Sequence, residues 1–285
     1  MGYCFAALVA AFGGATGARA ERVVAIGGDV TEIVFALGEQ GRLVGVDQTA
    51  LYPAAARALP QVGYMRNLSA EGILSLKPDL IIAAAQSGPP AVFEQLADAK
   101  VKVARIPNEE SVAGILAKID AVAAALGVPQ KAVALKSSIE TRMAAVEAAL
   151  KPAGAPTKAM FLLAQGPGGA MAAGKGTAAD AMFRLAHATN VAAGFEGYKP
   201  LTPESAVALA PDVIVVAEHA VEMLDGLDRL KARPEIAITP AGKNNRVVVM
   251  DALLLLGFGP RTPDAVAMLA RAMHPGVKIE LADAK

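Results

Sequence analysis

The chain has 285 residues with 27 basic and 27 acidic side chains, so its net charge is zero and it carries no electrostatic footprint for nucleic acid or an anionic surface. Its composition is 54% hydrophobic with no Trp, as in a well-packed α/β protein, and its length suits two medium domains. The single cysteine, Cys4, excludes a disulfide framework.

Residues 1–20 read as a signal peptide. An apolar run from Phe5 to Phe12 is followed by small residues, and Ala18-Arg19-Ala20 fits a cleavage site. The run is too short and Gly-rich to span a bilayer. Cys4 falls inside this segment, too early for lipid attachment. The expected product is a free periplasmic protein without cysteine and without stable membrane insertion.

Residues 22–26 form a β run and Gly27-Gly28-Asp29 a turn. Residues 31–37 are helical, with Ile33, Val34 and Leu37 on one face. Residues 43–46 make the next strand, ending in the loop 47–53. The loop 63–67 then leads into a passage that occurs twice. Leu68-Ser69-Ala70-Glu71-Gly72-Ile73-Leu74-Ser75-Leu76-Lys77-Pro78-Asp79 returns 133 positions on as Leu201-Thr202-Pro203-Glu204-Ser205-Ala206-Val207-Ala208-Leu209-Ala210-Pro211-Asp212. In each copy a Ser or Thr caps a short helix with an acid in its first turn, Pro-Asp stops it, and an apolar run follows as a buried parallel strand. A repeat of this kind implies two similar lobes with a ligand cleft between them.

Further along, residues 101–106 are a strand and 111–126 a helix. Pro129 opens a run to Leu150 with no internal Gly or Pro, a helix about 33 Å long at 1.5 Å per residue. Pro152-Ala153-Gly154-Ala155-Pro156 is a linker, after which residues 159–163 restart the strand–helix alternation. Residues 247–250 are a late strand and 263–273 a last helix. The predicted architecture is α/β: two Rossmann-like lobes with a parallel sheet each, joined by a single long helix. The expected boundaries are 1–20 for the signal peptide, 21–128 for the N-terminal lobe, 129–152 for the bridging helix and 153–285 for the C-terminal lobe. A stiff helical connection limits closure, so the cleft is expected to be largely preformed.

Ligands of open α/β sheets sit beyond the carboxyl ends of the strands. That rule selects residues 27–29, 47–52, 86–89, 165–171 and 219–223. No catalytic constellation is visible there. Gly166-Pro167-Gly168-Gly169 is not a P-loop, there is no nucleophile elbow, and His187, His219 and His274 do not follow a zinc pattern. Tyr64 and Arg66 are the sharpest pair. A phenolate suits ferric iron, and a guanidinium two residues on would support it, although the same spacing also fits an exposed loop tyrosine beside a solvated arginine. Tyr52, Met65, Met171, Met223 and His219 are candidate pocket residues. Arg229, Arg233 and Arg261 are candidates to meet a ligand carboxylate. His187 is expected inside a helix. Glu71 and Glu204, equivalent in the repeat, either complement their helix dipoles or present a pseudo-symmetric docking face.

Gly63-Tyr64-Met65-Arg66 running into the first repeat resembles the periplasmic haem-binding proteins of bacterial haem uptake systems, the HmuT type. So do residues 22–28 with Thr31-Glu32-Ile33, Ala170-Met171-Ala172-Ala173-Gly174 with Thr177-Ala178-Ala179-Asp180, and Gly257-Phe258-Gly259-Pro260-Arg261. The resemblance implies that Tyr64 ligates the iron of haem b, a transported ligand, and that Arg66 supports it. It also implies a monomer whose Glu71 and Glu204 dock on the permease of an ATP-driven importer with its ATPase. Some relatives hold two stacked haems with a histidine from the second lobe; residues 165–171 contain none, so one haem and a stacked pair both stay open. The competing readings are a cobalamin or ferric-siderophore carrier of the same fold and, in another class, an α/β enzyme with an inter-lobe site.

Overall fold

The computed structural model describes residues 21–164 and 169–282. The expected signal segment and residues 165–168 of the loop 165–171 lie outside them. The strands in chain order are β1 Val23–Ile26, β2 Leu43–Val46, β3 Gly63–Tyr64, β4 Asn67–Leu68, β5 Leu80–Ala84 and β6 Lys102–Ile106. They continue as β7 Thr157–Ala164, β8 Ala170–Ala173, β9 Ala188–Asn190, β10 Tyr198–Leu201, β11 Val213–Ala217 and β12 Val247–Met250.

The first sheet has the order β2-β1-β5-β6 and all of its pairs are parallel. Its central strands β1 and β5 are buried along their whole length, as a sheet covered by helices on both faces requires. The second sheet is ordered β10-β8-β7-β11-β12. Here β7, β11 and β12 are parallel, as expected, but β8 and β10 join antiparallel. The eight-residue β7 shares one edge between two neighbours: its first residues pair with β9 and its last with β8. Asn190 fastens that junction, donating to the Ala173 carbonyl and to Asp180, 3.0 Å each, and accepting from the Ala192 amide.

The two-residue period of a strand sorts the second sheet's side chains into two cores. Ala159, Phe161, Val213 and Val215 face the large core shared with the N-terminal lobe and the bridging helix. Met160, Leu162, Ile214 and Val216 face a smaller one closed by Leu230, Ile236 and Ala241.

The repeat is visible in backbone detail. Ser69 caps the helix Ala70–Ser75 by accepting from the Gly72 amide, and Thr202 caps Pro203–Leu209 by accepting from the Ser205 amide. Each helix is followed by a left-handed residue, Lys77 at φ 48° and Ala210 at φ 46°, which turns the chain just before Pro-Asp. The strands β5 and β11 that follow are both fully buried.

The bridging helix is the single uninterrupted element Pro129–Leu150, with Pro in its first turn. Ala132, Ile139, Met143, Val146 and Leu150 form its buried stripe. Arg142 lies on the same stripe and pairs with Asp264 of the last helix, Thr262–Met273.

The lobes are also joined by buried ionic contacts. Lys118 is 1% exposed, on the helix Val112–Ala125. Its ammonium pairs with Asp29 and donates to Asn108 Oδ1 at 2.9 Å, Gly257 O at 3.1 Å and Phe258 O at 3.2 Å. Beside it, Arg261 donates from its backbone amide to Glu32 Oε1 at 3.1 Å and from its guanidinium to Oε2 at 2.9 Å. Burial pushes the Glu32 carboxyl up, and the Arg261 contacts oppose it. A side chain at Gly28 would collide with the Thr49 carbonyl and with Leu253, so glycine is required for the two segments to close here.

Two local expectations change. The first helix starts at Gly28, not Thr31, so Asp29 is buried in its first turn rather than exposed in a turn. His187 lies past the helix Ala178–Leu185 at φ 56°, because the chain unwinds there into β9.

Candidate functional site

β3 and β4 pair antiparallel through Gly63 with Leu68 and Tyr64 with Asn67, so Tyr64 to Asn67 is a tight hairpin at the edge of the N-terminal lobe. Gly63 at φ 102° admits the chain into it. Tyr64 is 40% exposed while Met65 is packed inward at 6%. Arg66 Nη1 donates to the Tyr64 hydroxyl at 2.7 Å. The guanidinium carbon stands 6.0 Å from the ring centroid, so the contact is made at the oxygen rather than by stacking. Arg66 thus sets a charge-assisted hydrogen-bond donor on the phenolic oxygen, the atom that a hard metal ion would take.

The hairpin is held from behind. The Gln48 amide donates to Gly63 O, and the Gly88 amide to Met65 O, 2.9 Å each. Asp47, fully buried at the end of β2, accepts from the Gly27 amide at 2.8 Å and from the Thr49 amide at 3.0 Å. One carboxylate therefore ties the β1 turn to the loop 47–53, whose Gln48 amide in turn holds the hairpin. Burial pushes the Asp47 carboxyl up, with the donated bonds from Thr49 and Gly27 pulling the other way.

Asp47→Ala leaves these amides without their acceptor, at about 1–3 kcal/mol per buried group, so a clear fall in melting temperature is expected. The pH profile adds a sign. The raised pKa means that the folded chain holds this proton more tightly than the unfolded chain. The group's contribution is full below the ordinary aspartate value of about 3.9 and is lost as pH rises through the raised value. In Asp47→Asn that part of the stability–pH curve should be missing, measured by thermal unfolding across mildly acidic pH.

The other sequence candidates separate. Tyr52 is 44% exposed, and Arg261 stacks over its ring with 3.5 Å between the guanidinium carbon and the centroid. Arg261 is thus committed to Glu32 and Tyr52 between the lobes. Met65 belongs to the core of the N-terminal lobe, with its sulfur 3.9 Å from the Thr49 hydroxyl. Met171 is inside β8 rather than in a loop, half-buried between Leu163 and Pro200 in the register. His219 is half-buried on the first turn of the helix Glu218–Met223. Arg229 bonds Asp225 at 2.9 Å on the open surface. Glu71 and Glu204 are both exposed in the first turns of the two repeated helices. The Glu204 carboxyl is held below its usual range by hydrogen bonds from its own backbone and from Thr202.

One residue escaped the sequence reading: Asp47 stood in the strand-end loop without being singled out.

The family model "Periplasmic binding protein" matches residues 23–254. Among solved structures, the periplasmic heme-binding protein RhuT from Roseiflexus sp. RS-1, in apo form, is 40% identical, with a TM-score of 0.87 over 90% of this chain and 99% of that one. The periplasmic heme-binding protein BhuT in complex with two hemes is 44% identical, with a TM-score of 0.84 over 90% and 98%. An uncharacterized ABC transporter substrate-binding lipoprotein, YvrC of Bacillus subtilis (strain 168), is 29% identical across 90% of this chain and 80% of its own. With a model spanning both lobes and a fold superposing on theirs, the chain belongs to the periplasmic binding protein family.

Proposed function

We propose that this protein is a periplasmic haem carrier that holds ferric haem through the Tyr64 oxygen and delivers it, as a monomer, to the permease of an ATP-driven importer. The observation that carries this reading is the Arg66–Tyr64 hydrogen bond at 2.7 Å on an exposed hairpin beyond the strand ends. The iron arrives already held by four ring nitrogens, so the protein needs to supply one anionic axial ligand rather than a cage. Arg66 offsets the charge of that ligand, and the loop that Asp47 ties down backs the hairpin. The heme-binding names of RhuT and BhuT support the ligand class, and that of YvrC supports the importer. The lobe-to-lobe ion pair of Glu32 with Arg261, the bonds from Lys118 to the Gly257 and Phe258 carbonyls and the unbroken bridging helix support a cleft that is largely preformed. The direct test is a hemin titration of the mature chain followed by visible absorption. Saturable binding with a high-spin ferric, tyrosinate-type spectrum is expected; no saturable binding defeats the reading.

Delivery rests on the matched acids. Glu71 and Glu204 occupy equivalent positions 133 residues apart, and both are exposed. Their equivalence in the two lobes suits a permease with two related halves that receives them through basic residues. Reversing both (Glu71→Lys with Glu204→Lys) should leave the hemin titration unchanged while stopping haem uptake in reconstituted importer vesicles. Equal uptake by the double variant would remove the docking role.

A further inference from the structure

One side chain gathers the backbone carbonyls that follow β5. Arg105, the last residue but one of β6, sends Nη2 to the Ala85 carbonyl and to the Ser87 carbonyl, the latter at 3.1 Å. Both carbonyls lie past the last residue of β5, outside the strand pairing, and Arg105 supplies their donor. The guanidinium carbon stands 3.9 Å from the centre of the Phe93 ring, on the helix Pro90–Asp98. The planar cation is therefore stacked as well as hydrogen-bonded, an arrangement that fixes its direction.

The segment that Arg105 holds is the one that grips the Tyr64 hairpin. Gly88, next to Ser87, donates its amide to Met65 O at 2.9 Å and accepts from the Leu68 amide at 3.1 Å. These two bonds bracket Arg66 and Asn67. Arg66 in turn reaches the Tyr64 oxygen at 2.7 Å. An unbroken series of contacts thus runs from Phe93 and Arg105, through the backbone of residues 85–88, to the guanidinium on the phenol.

We propose that Arg105 is a positioning residue: by fixing the carbonyls of Ala85 and Ser87 it holds Gly88, and Gly88 sets Arg66 on the Tyr64 oxygen. Its bearing on ligand binding rests on the haem reading above. Arg105 acts through Arg66 and not on the ligand itself.

The test titrates hemin into the mature wild-type chain, Arg105→Met, Arg66→Ala and the double variant. Arg105→Met keeps an apolar stem against Phe93 and removes the donors. It should weaken hemin binding by about tenfold, the lower end of the range for outer-shell partners of a metal ligand, and shift the ferric spectrum in the same direction as Arg66→Ala. In the Arg66→Ala background it should add no further loss, because the two side chains act in series. Losses that add in the double variant overturn the proposal in favour of direct contact with the ligand, and an unchanged affinity in Arg105→Met overturns it outright. Arg105→Lys, which keeps a cationic donor, should recover part of the loss; no recovery would assign the effect to packing on Phe93 instead. Hydrogen exchange of the haem-free chain gives a second readout. The Gly88 and Leu68 amides should exchange faster in Arg105→Met, and equal protection overturns the proposal whatever the ligand. Failure of the haem reading is distinct, because the wild type would then bind no hemin while the exchange comparison still decides the role of Arg105.

Discussion

Tyr64→Phe should abolish the tyrosinate-type absorption of the hemin complex and weaken binding by more than the roughly 10–100-fold that loss of an outer-shell metal partner costs. The substitution keeps the ring, so the hairpin of β3 and β4 stays intact and the effect reads the oxygen alone. Arg66→Ala should fall inside that 10–100-fold range, because it leaves the ligand and removes only the donor 2.7 Å from it. The ordering of the two variants is the informative part. A larger loss in Arg66→Ala than in Tyr64→Phe would make the guanidinium, not the phenol, the principal contact. A saturable, unchanged spectrum in Tyr64→Phe would keep the haem and move the ligand elsewhere, with His219 the next residue to substitute.

Lys118→Met should cost about 3–5 kcal/mol of stability, the range for removing one partner of a buried pair. Lys118 is 1% exposed, and its loss leaves Asp29 charged and buried with no cation, while the Gly257 and Phe258 carbonyls lose their donor. At about 2–4 °C per kcal/mol for a chain of this size, thermal unfolding should shift down by roughly 10 °C. The double variant Lys118→Met with Asp29→Asn should recover part of that loss, since no unpaired charge remains. A single variant that melts with the wild type would show that the pair contributes nothing net. Lys118 also joins the helix Val112–Ala125 to the segment carrying Arg261, so hydrogen exchange in Lys118→Met should rise on both sides of the lobe junction.

Much of this protein was legible from the chain. The repeat announced two lobes because its signals are local: a Ser or Thr cap, an acid in the first turn, Pro-Asp and an apolar run each act within a few residues. The bridging helix 129–150 was legible because Pro at its first turn and the absence of internal Gly or Pro bound it at both ends. Tyr64 with Arg66 was legible because both partners lie in one hairpin. Met65 was harder. The spacing could not tell which side chains of a tight turn point inward, and it is the core of the lobe that takes Met65 and leaves Tyr64 exposed. Arg229 and Arg261 looked alike in the sequence, yet one pairs locally with Asp225 and the other reaches Glu32, 229 positions away.

The sequence by itself therefore determined the elements, the two-lobe plan and the candidate ligand pair, because hydrophobic period, caps and turn residues act at short range. Tertiary structure alone decided the rest. It added the antiparallel strands β8 and β10 to the second sheet, since pairing along the end of β7 is not encoded in any short window. It turned Gly257-Phe258-Gly259-Pro260-Arg261 from a resemblance into a clasp on Lys118 and Glu32. It made Asp47 the buried tie between the β1 turn and the loop 47–53, which backs the hairpin. Each of these depends on groups far apart in the chain meeting in a low-dielectric interior, where unpaired charges and amides are costly enough to select one arrangement.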